Sequence, residues 1–170
     1  MLEGNIILIG MPGAGKSTLG VVLAKILGKN FLDADLLIQC KHGNTLQGLI
    51  DKLGAEGFIK IENEALREVE ARNTVIATGG SAIYSDEAMD HLASIGTVIY
   101  LRCTLEEVKQ RLEDFDERGI VVRDGVEMSL DALYAERCPL YEKRADIVVD
   151  VDGLSTTRAA RKIASRYIET

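Results

Sequence analysis

Residues 10–18, "GMPGAGKST", decide the fold, because they match the phosphate-binding pattern G-x-x-x-x-G-K-[ST] at each fixed position. A short apolar run precedes the stretch and a helical pattern follows it, as this loop requires. The glycines let successive N–H groups point at one spot, and the helix N-terminus adds the positive end of its dipole. We expect Lys16 to reach the β- and γ-phosphates of a nucleoside triphosphate, and the Ser17 hydroxyl to ligate Mg²⁺. The expected nucleotide contacts are Gly13, Ala14, Gly15, Lys16, Ser17 and Thr18.

Short β-branched runs alternate with longer helical patterns along the whole chain. The alternation predicts an α/β fold with a parallel sheet, helices on both faces and a single domain over residues 1–170. The carboxyl ends of the strands should carry the ligand site. Predicted strands are 5–10, 30–33, 74–78, 96–101 and 145–151. Predicted helices are 16–27, 35–71 with breaks, 85–94, 104–115, 129–143 and 155–169, and Thr104 with Glu107 has the pattern of a capping box.

Composition narrows the function classes. The chain of 170 residues has a formal net charge of −7, which argues against a nucleic-acid or anionic-membrane surface. Its three cysteines are far apart, which favours reduced thiols over a zinc site or disulfides. The N-terminus has neither a basic leader nor a membrane-spanning run. We therefore expect a cytoplasmic protein.

Two predicted strands end in residues suited to a ligand site. Asp33 and Asp35 end the second strand, where one carboxylate could hold Mg²⁺ and the other could orient an attacking hydroxyl. The alternative is that one of them only caps the next helix. Gly79 and Gly80 follow the third strand, where they allow either close approach to a ligand or simply a tight turn.

A charged stretch at about 113–129 separates two good helices and is either a solvated surface loop or a mobile lid. Arg118 lies inside it, Arg111 on the helix before it and Arg137 just after it. Each arginine alone is typical of a surface. The three together favour a lid that brings positive charge to a transferring phosphoryl group.

Taken together, these motifs resemble the shikimate kinases, P-loop enzymes of the nucleoside-monophosphate-kinase type. The likeness runs from "ILIGMPGAGKSTLG" through "FLDAD" and "ATGG" to "ERCPLYEKRAD". It implies a three-layer P-loop kinase fold with a five-stranded parallel sheet in the order 2-3-1-4-5 and a closing lid. It also implies substrate-binding helices at about 35–71, ATP with Mg²⁺, and a monomer that phosphorylates shikimate in aromatic amino acid biosynthesis.

The resemblance further implies roles for single residues. Lys16, Asp35 and Arg118 would be catalytic, with Asp35 as the base and Arg118 acting on the phosphates. Asp33 would lie near the metal with Ser17, and Arg111 would lie against adenine. The substrate side would be formed by Asp35, position 59 (here Ile59), Gly79, Gly80 and Arg137, with Arg137 gripping the substrate carboxylate.

Three motifs depart from the family pattern. The helix motif G-E-x-x-F-R-x-x-E of the family reads "GAEGFIKIE" here (54–62), so Ile59 stands at the position of an arginine. The motif "GGG" of the family reads "GGS", with Ser81 third. The lid motif R-P-L-L of the family reads "RGIV", from Arg118. One lost charge-assisted contact costs about 1.5–3 kcal/mol, and the neighbouring Lys60 points about 100° around the helix. Three hypotheses stay open: a shikimate kinase with an altered pocket, a related kinase of another polyol or hydroxy acid, or a nucleotide-binding module without catalysis. The retained catalytic set argues against the last.

Overall fold

The computed structural model describes residues 4–113 and 129–169, and in this part of the chain five parallel strands form one sheet in the order β2-β3-β1-β4-β5. The strands are β1 (Asn5–Ile9), β2 (Asn30–Asp33), β3 (Thr74–Ala77), β4 (Gly96–Arg102) and β5 (Ile147–Asp150). The predicted sheet and strand order are confirmed. The predicted lid, with Arg118, falls almost entirely outside the described residues.

Helices connect consecutive strands, and one more helix follows the last strand. They are α1 (Lys16–Leu27), α2 (Ala34–His42), α3 (Leu46–Arg67), α4 (Asp86–Ile95), α5 (Leu105–Glu113), α6 (Leu130–Arg144) and α7 (Thr156–Ile168), with a 3₁₀ helix at Gly80–Tyr84. The crossovers through α1 and α4 run in opposite directions along the sheet, so right-handed connections place these helices on opposite faces. The bounds agree with the predicted helices to within a few residues. None of the helices in the described ranges is both long enough and apolar enough to cross a membrane.

The central strand β1 explains why the sequence reads as continuous apolar runs. All its residues are buried, and it pairs with β3 on one side and β4 on the other, with Ile7 opposite Ile76 and Val98. A strand covered on both faces needs apolar side chains at every position rather than at alternate ones. The main hydrophobic core forms around it and includes α1, α4, α6 and α7.

The α2–α3 segment has a small core of its own. Gly54 has φ 71° and ψ 175°, a conformation that interrupts the helix and splits α3 into two parts. Ile38, Leu49, Ala55, Phe58 and Ala65 form a separate buried cluster there. The breaks predicted within 35–71 therefore lie between α2 and α3 and at Gly54, and the second redirects the later part of α3.

Candidate active site

The ligand cleft lies at the carboxyl ends of β1, β2 and β3. It has a volume of about 870 Å³. The phosphate loop, the start of α2, the turn after β3 and Arg137 of α6 line it, and Gln39, Thr45, Gln47 and Phe58 add a neutral wall. Sequence reasoning predicted the charged and glycine positions of this cleft but missed its neutral wall.

The phosphate loop has the conformation that its glycines predict. Gly10, Gly13 and Gly15 all have φ between 82° and 147°, a range that L side chains rarely adopt. Lys16 begins α1 and is only 7% exposed, with its ammonium donating to the carbonyls of Gly10 at 2.7 Å and Met11 at 2.9 Å. The loop is therefore held closed around Lys16, whose ammonium lies beside the cleft.

A smaller pocket of about 200 Å³ lies behind the loop, where Gly15, Thr18, Arg111, Leu154 and Thr156 are among its lining residues. The Arg111 guanidinium donates to the Glu107 carboxylate at 2.7 Å and to the Ala14 carbonyl at 3.2 Å. Arg111 is thereby fixed against the phosphate loop. Its contact with the nucleotide base stays a prediction.

Asp33 and Asp35 both line the cleft, but for a different reason than the sequence suggested. The expectation that both lie on one strand is wrong, because α2 begins at Ala34 and Asp35 lies in its first turn. Asp33 Oδ1 accepts from the backbone N–H of Asp35 at 2.9 Å and of Leu36 at 3.3 Å. Asp33 is thus the N-cap of α2, as the alternative interpretation held, and it also faces the cleft.

Gly79 and Gly80 are required by the packing of charged side chains. A Cβ at Gly79 would lie 2.7 Å from Glu62 Oε1 and 2.9 Å from Asp35 Oδ1. A Cβ at Gly80 would lie 2.8 Å from Pro12 Cδ and 2.9 Å from an Arg137 nitrogen. Any larger residue would push the charged side chains out of place. The glycine pair therefore brings Asp35 and Arg137 close to the backbone turn after β3.

Arg137 projects from α6 and is 1% exposed, which is unusual for an arginine. Its Nε donates to the Tyr84 hydroxyl at 3.0 Å, and its guanidinium carbon lies 5.0 Å from the centre of the Tyr84 ring. Tyr141, one helical turn later, donates to the Gly80 carbonyl at 2.6 Å. These contacts fix one preorganised guanidinium at the cleft. Tyr84 and Tyr141 were not predicted, because their partners are distant in sequence.

No role in the site was predicted for Glu62 from the sequence, where it served only to fix the register of the helix motif. It is 1% exposed, and its Oε2 accepts from the Ser81 hydroxyl at 2.6 Å. Burial raises the pKa of Glu62 to about 7, while the hydrogen bond from Ser81 opposes this shift. A glutamate on the buried face of an amphipathic helix was the signal that could have identified it.

Ile59 lies where the sequence places it on α3, but it is not among the residues that line the cleft. It is half-buried and packs against the small core of the α2–α3 segment. Lys60 is exposed and is also absent from the lining. The structure therefore brings together Lys16, Asp35, Gly79, Gly80 and Arg137, and leaves Ile59 outside.

The phosphate-binding loop follows the central strand of a 2-3-1-4-5 sheet and faces a carboxylate and a buried arginine across one cleft. This arrangement defines a P-loop kinase of small molecules. The family model "Shikimate kinase" matches residues 12–169. This chain belongs to the shikimate kinase family, whose members are ATP-dependent kinases that phosphorylate a hydroxyl group.

Individual relatives agree with this assignment. A shikimate kinase of Francisella tularensis subsp. novicida is 41% identical over 167 residues, which cover 97% of this chain and 95% of the relative. The structure of shikimate kinase from Acinetobacter baumannii in complex with shikimate superposes with a TM-score of 0.89 at 34% identity, over 98% of this chain and 93% of the other. Shikimate kinase from Aquifex aeolicus gives 0.79 at 30% identity, over 96% of each chain.

Proposed function

We propose that this protein transfers the γ-phosphoryl group of ATP to a hydroxyl of shikimate, which gives shikimate 3-phosphate. The observation that carries the proposal is that Lys16, Asp35 and Arg137 line a single cleft. A phosphate-binding cation, a carboxylate and a carboxylate-binding guanidinium are the groups that this reaction needs. The family membership of the chain supports shikimate as the acceptor.

ATP would bind with its phosphates on the loop and its base in the smaller pocket beside Arg111. The oxygen ligands at the cleft fit Mg²⁺, which keeps several waters and takes one or two protein ligands together with phosphate oxygens. Ser17 would supply a hydroxyl, and Asp33 would act through water, since its Oδ1 already accepts two backbone N–H groups. When bound, Mg²⁺ would neutralise charge on the transferring phosphoryl group.

Asp35 would orient the attacking hydroxyl and accept its proton. Its Oδ1 lies against the backbone of Gly79, at the border between the phosphate loop and the substrate side. Arg137 would hold the substrate carboxylate in a charge-assisted contact. The neutral wall, from α2 and α3, would lie around the ring of shikimate. Arg118 would act on the phosphates from the lid.

Lys16→Met tests the mechanism. We expect turnover to be lost while the far-UV circular dichroism spectrum stays the same, because the change removes the cation from the phosphates and leaves α1 intact. Lys25→Met is the matched control, since Lys25 is an exposed residue of the same helix. Full activity of Lys16→Met, measured as ADP release, would refute the mechanism.

A second experiment tests the acceptor. ADP release is measured with shikimate and with a panel of polyols and hydroxy acids at the same ATP concentration. Shikimate should give the highest kcat/KM. A better acceptor in the panel would replace shikimate and leave the kinase assignment standing. The predictions of a monomer and of a cytoplasmic location stay predictions, which size-exclusion chromatography and cell fractionation would check.

A further inference from the structure

The Glu62 carboxyl is held asymmetrically. Its Oε2 accepts a 2.6 Å hydrogen bond from Ser81, whereas Oε1 has no hydrogen-bond partner among the residues that the structure describes. Oε1 lies 2.7 Å from the position of a Cβ on Gly79, and Asp35 Oδ1 lies 2.9 Å from the same point. The two carboxyl groups therefore flank one glycine at the edge of the cleft. A buried carboxyl with one unpaired oxygen is costly in free energy, so the groups around it determine how stable its charged form is.

Ile59 lies three residues before Glu62 on α3, so the two side chains are neighbours on one helix face. The family pattern has an arginine at position 59 and a glycine at position 81. In this chain position 59 beside Glu62 is apolar, and the Ser81 hydroxyl binds Glu62. Two departures that are distant in sequence thus meet at one carboxyl group.

We propose that Ser81 is a positioning residue that holds the Glu62 carboxyl in place of a cation at position 59, and that the charge of Glu62 determines how tightly Arg137 binds an acidic substrate. The inference rests on the proposed function in one respect, namely that the substrate is an acid held by Arg137. It goes beyond that function because it identifies a specificity determinant outside the lining of the cleft.

The groups that face Glu62 set the direction of the effect. Asp35 approaches from α2, Arg137 from α6, Lys16 from the phosphate loop and Ser81 from the 3₁₀ helix. Burial is the largest influence and raises the pKa of Glu62 to about 7, so this carboxyl changes charge in the neutral range. Ionised Glu62 partly neutralises Arg137, whereas protonated Glu62 leaves the guanidinium to the substrate. Binding of the acid should therefore weaken as the pH rises through about 7.

The test measures KM and kcat for shikimate between pH 6 and 8 at saturating ATP. In the wild type we expect KM to rise about three- to ten-fold across this range, as expected for one neighbouring charge that changes within it. Glu62→Gln should remove the rise. Ile59→Arg should flatten it as well, because a guanidinium one turn away favours the ionised carboxylate at every pH and shields Arg137 from it.

Ser81→Ala tests the positioning role directly. We expect the rise of KM to move to a higher pH, because the Ser81 hydrogen bond opposes the raised pKa of Glu62, and we expect a lower melting temperature. Ile59→Arg in the same chain should reverse both changes, because the arginine replaces the lost partner of Glu62. Ser85→Ala is the matched control, since Ser85 is a buried serine just after the 3₁₀ helix whose hydroxyl caps no helix. A rescue that appears in KM and its pH course, and not only in melting temperature, separates positioning from a purely structural role.

The outcomes distinguish this inference from the proposed function. If the wild type phosphorylates no acid in the panel, the proposed function fails. If it phosphorylates an acid but Glu62→Gln keeps the same pH course of KM, or Ser81→Ala behaves like Ser85→Ala, the inference alone is refuted. Should Ser81→Ala fail to fold, the pH course of Ile59→Arg decides, since an unchanged rise of KM in that variant overturns the inference.

Discussion

Replacement of Glu62 by Gln should change how the stability of the free protein depends on pH. Burial raises the pKa of Glu62 from its ordinary 4.5 to about 7, so the native state binds this proton more tightly than the unfolded chain does. The contribution of the group to the free energy of unfolding is therefore complete below about pH 4.5 and is lost as the pH rises through about 7. Glutamine cannot titrate and makes no such contribution.

The magnitude follows from the two pKa values. At about 1.4 kcal/mol for each pH unit, the interval between 4.5 and about 7 corresponds to about 3 kcal/mol. Between pH 5 and pH 8 the wild type should thus lose about 2–3 kcal/mol relative to Glu62→Gln. That loss is large compared with the total stability of a typical domain.

Urea unfolding at pH 5, 6, 7 and 8, followed by far-UV circular dichroism, measures this difference without any ligand. The wild type and Glu62→Gln should diverge steadily across the series. The same change at Glu64, which is exposed on the same helix, is the control and should run parallel to the wild type. Parallel curves for the wild type and Glu62→Gln would show that the buried carboxyl does not take up a proton on folding, and the reasoning would be refuted.

Three further substitutions test two positions of the site and one surface ion-pair cluster. Gly79→Ala should reduce kcat/KM for the acceptor about a hundred-fold, because its Cβ would displace both flanking carboxylates and small misplacements of reacting groups have effects of this size. Steady-state kinetics, with circular dichroism as a check of folding, would measure the loss. Arg111→Met should raise the KM for ATP more than that for the acceptor, and equal changes would contradict its place beside the base. Arg144→Ala should lower stability by less than about 1 kcal/mol despite two ion pairs, because both partners are exposed; denaturant unfolding that showed a larger loss would contradict this.

The sequence predicts the sheet, the phosphate loop and the charged and glycine residues of the cleft well because each has a local signal. Continuous apolar runs indicate strands buried on both faces, and the glycines of residues 10–18 indicate a backbone with positive φ. The strand end near Asp33 was also predicted correctly. Asp35 lines the cleft as predicted, but the predicted reason was wrong. It lies in the first turn of α2, which Asp33 caps and which begins one residue earlier than expected, and not on the strand.

Other features depend on partners that no local pattern reveals. Thr104 does accept from the Glu107 N–H at 3.4 Å, as its capping box predicts. The Glu107 carboxylate, however, binds Arg111, and the Thr104 N–H donates to Asp152 at 2.9 Å. The hydrogen bond from Ser81 to Glu62 likewise joins the 3₁₀ helix to α3, which are distant in sequence. In the sequence, Ile59 and Ser81 are therefore two unrelated differences from the family pattern, whereas in the structure both lie beside Glu62.

The separate core of the α2–α3 segment has a consequence for how this enzyme can change. Ile38, Leu49, Ala55, Phe58 and Ala65 pack among themselves, apart from the main core around the sheet. Substitutions in this segment can therefore reshape the wall that faces the acceptor while the nucleotide loop keeps its foundation. Acceptor preference can thus evolve, or be engineered, through changes in this segment that leave the nucleotide loop intact.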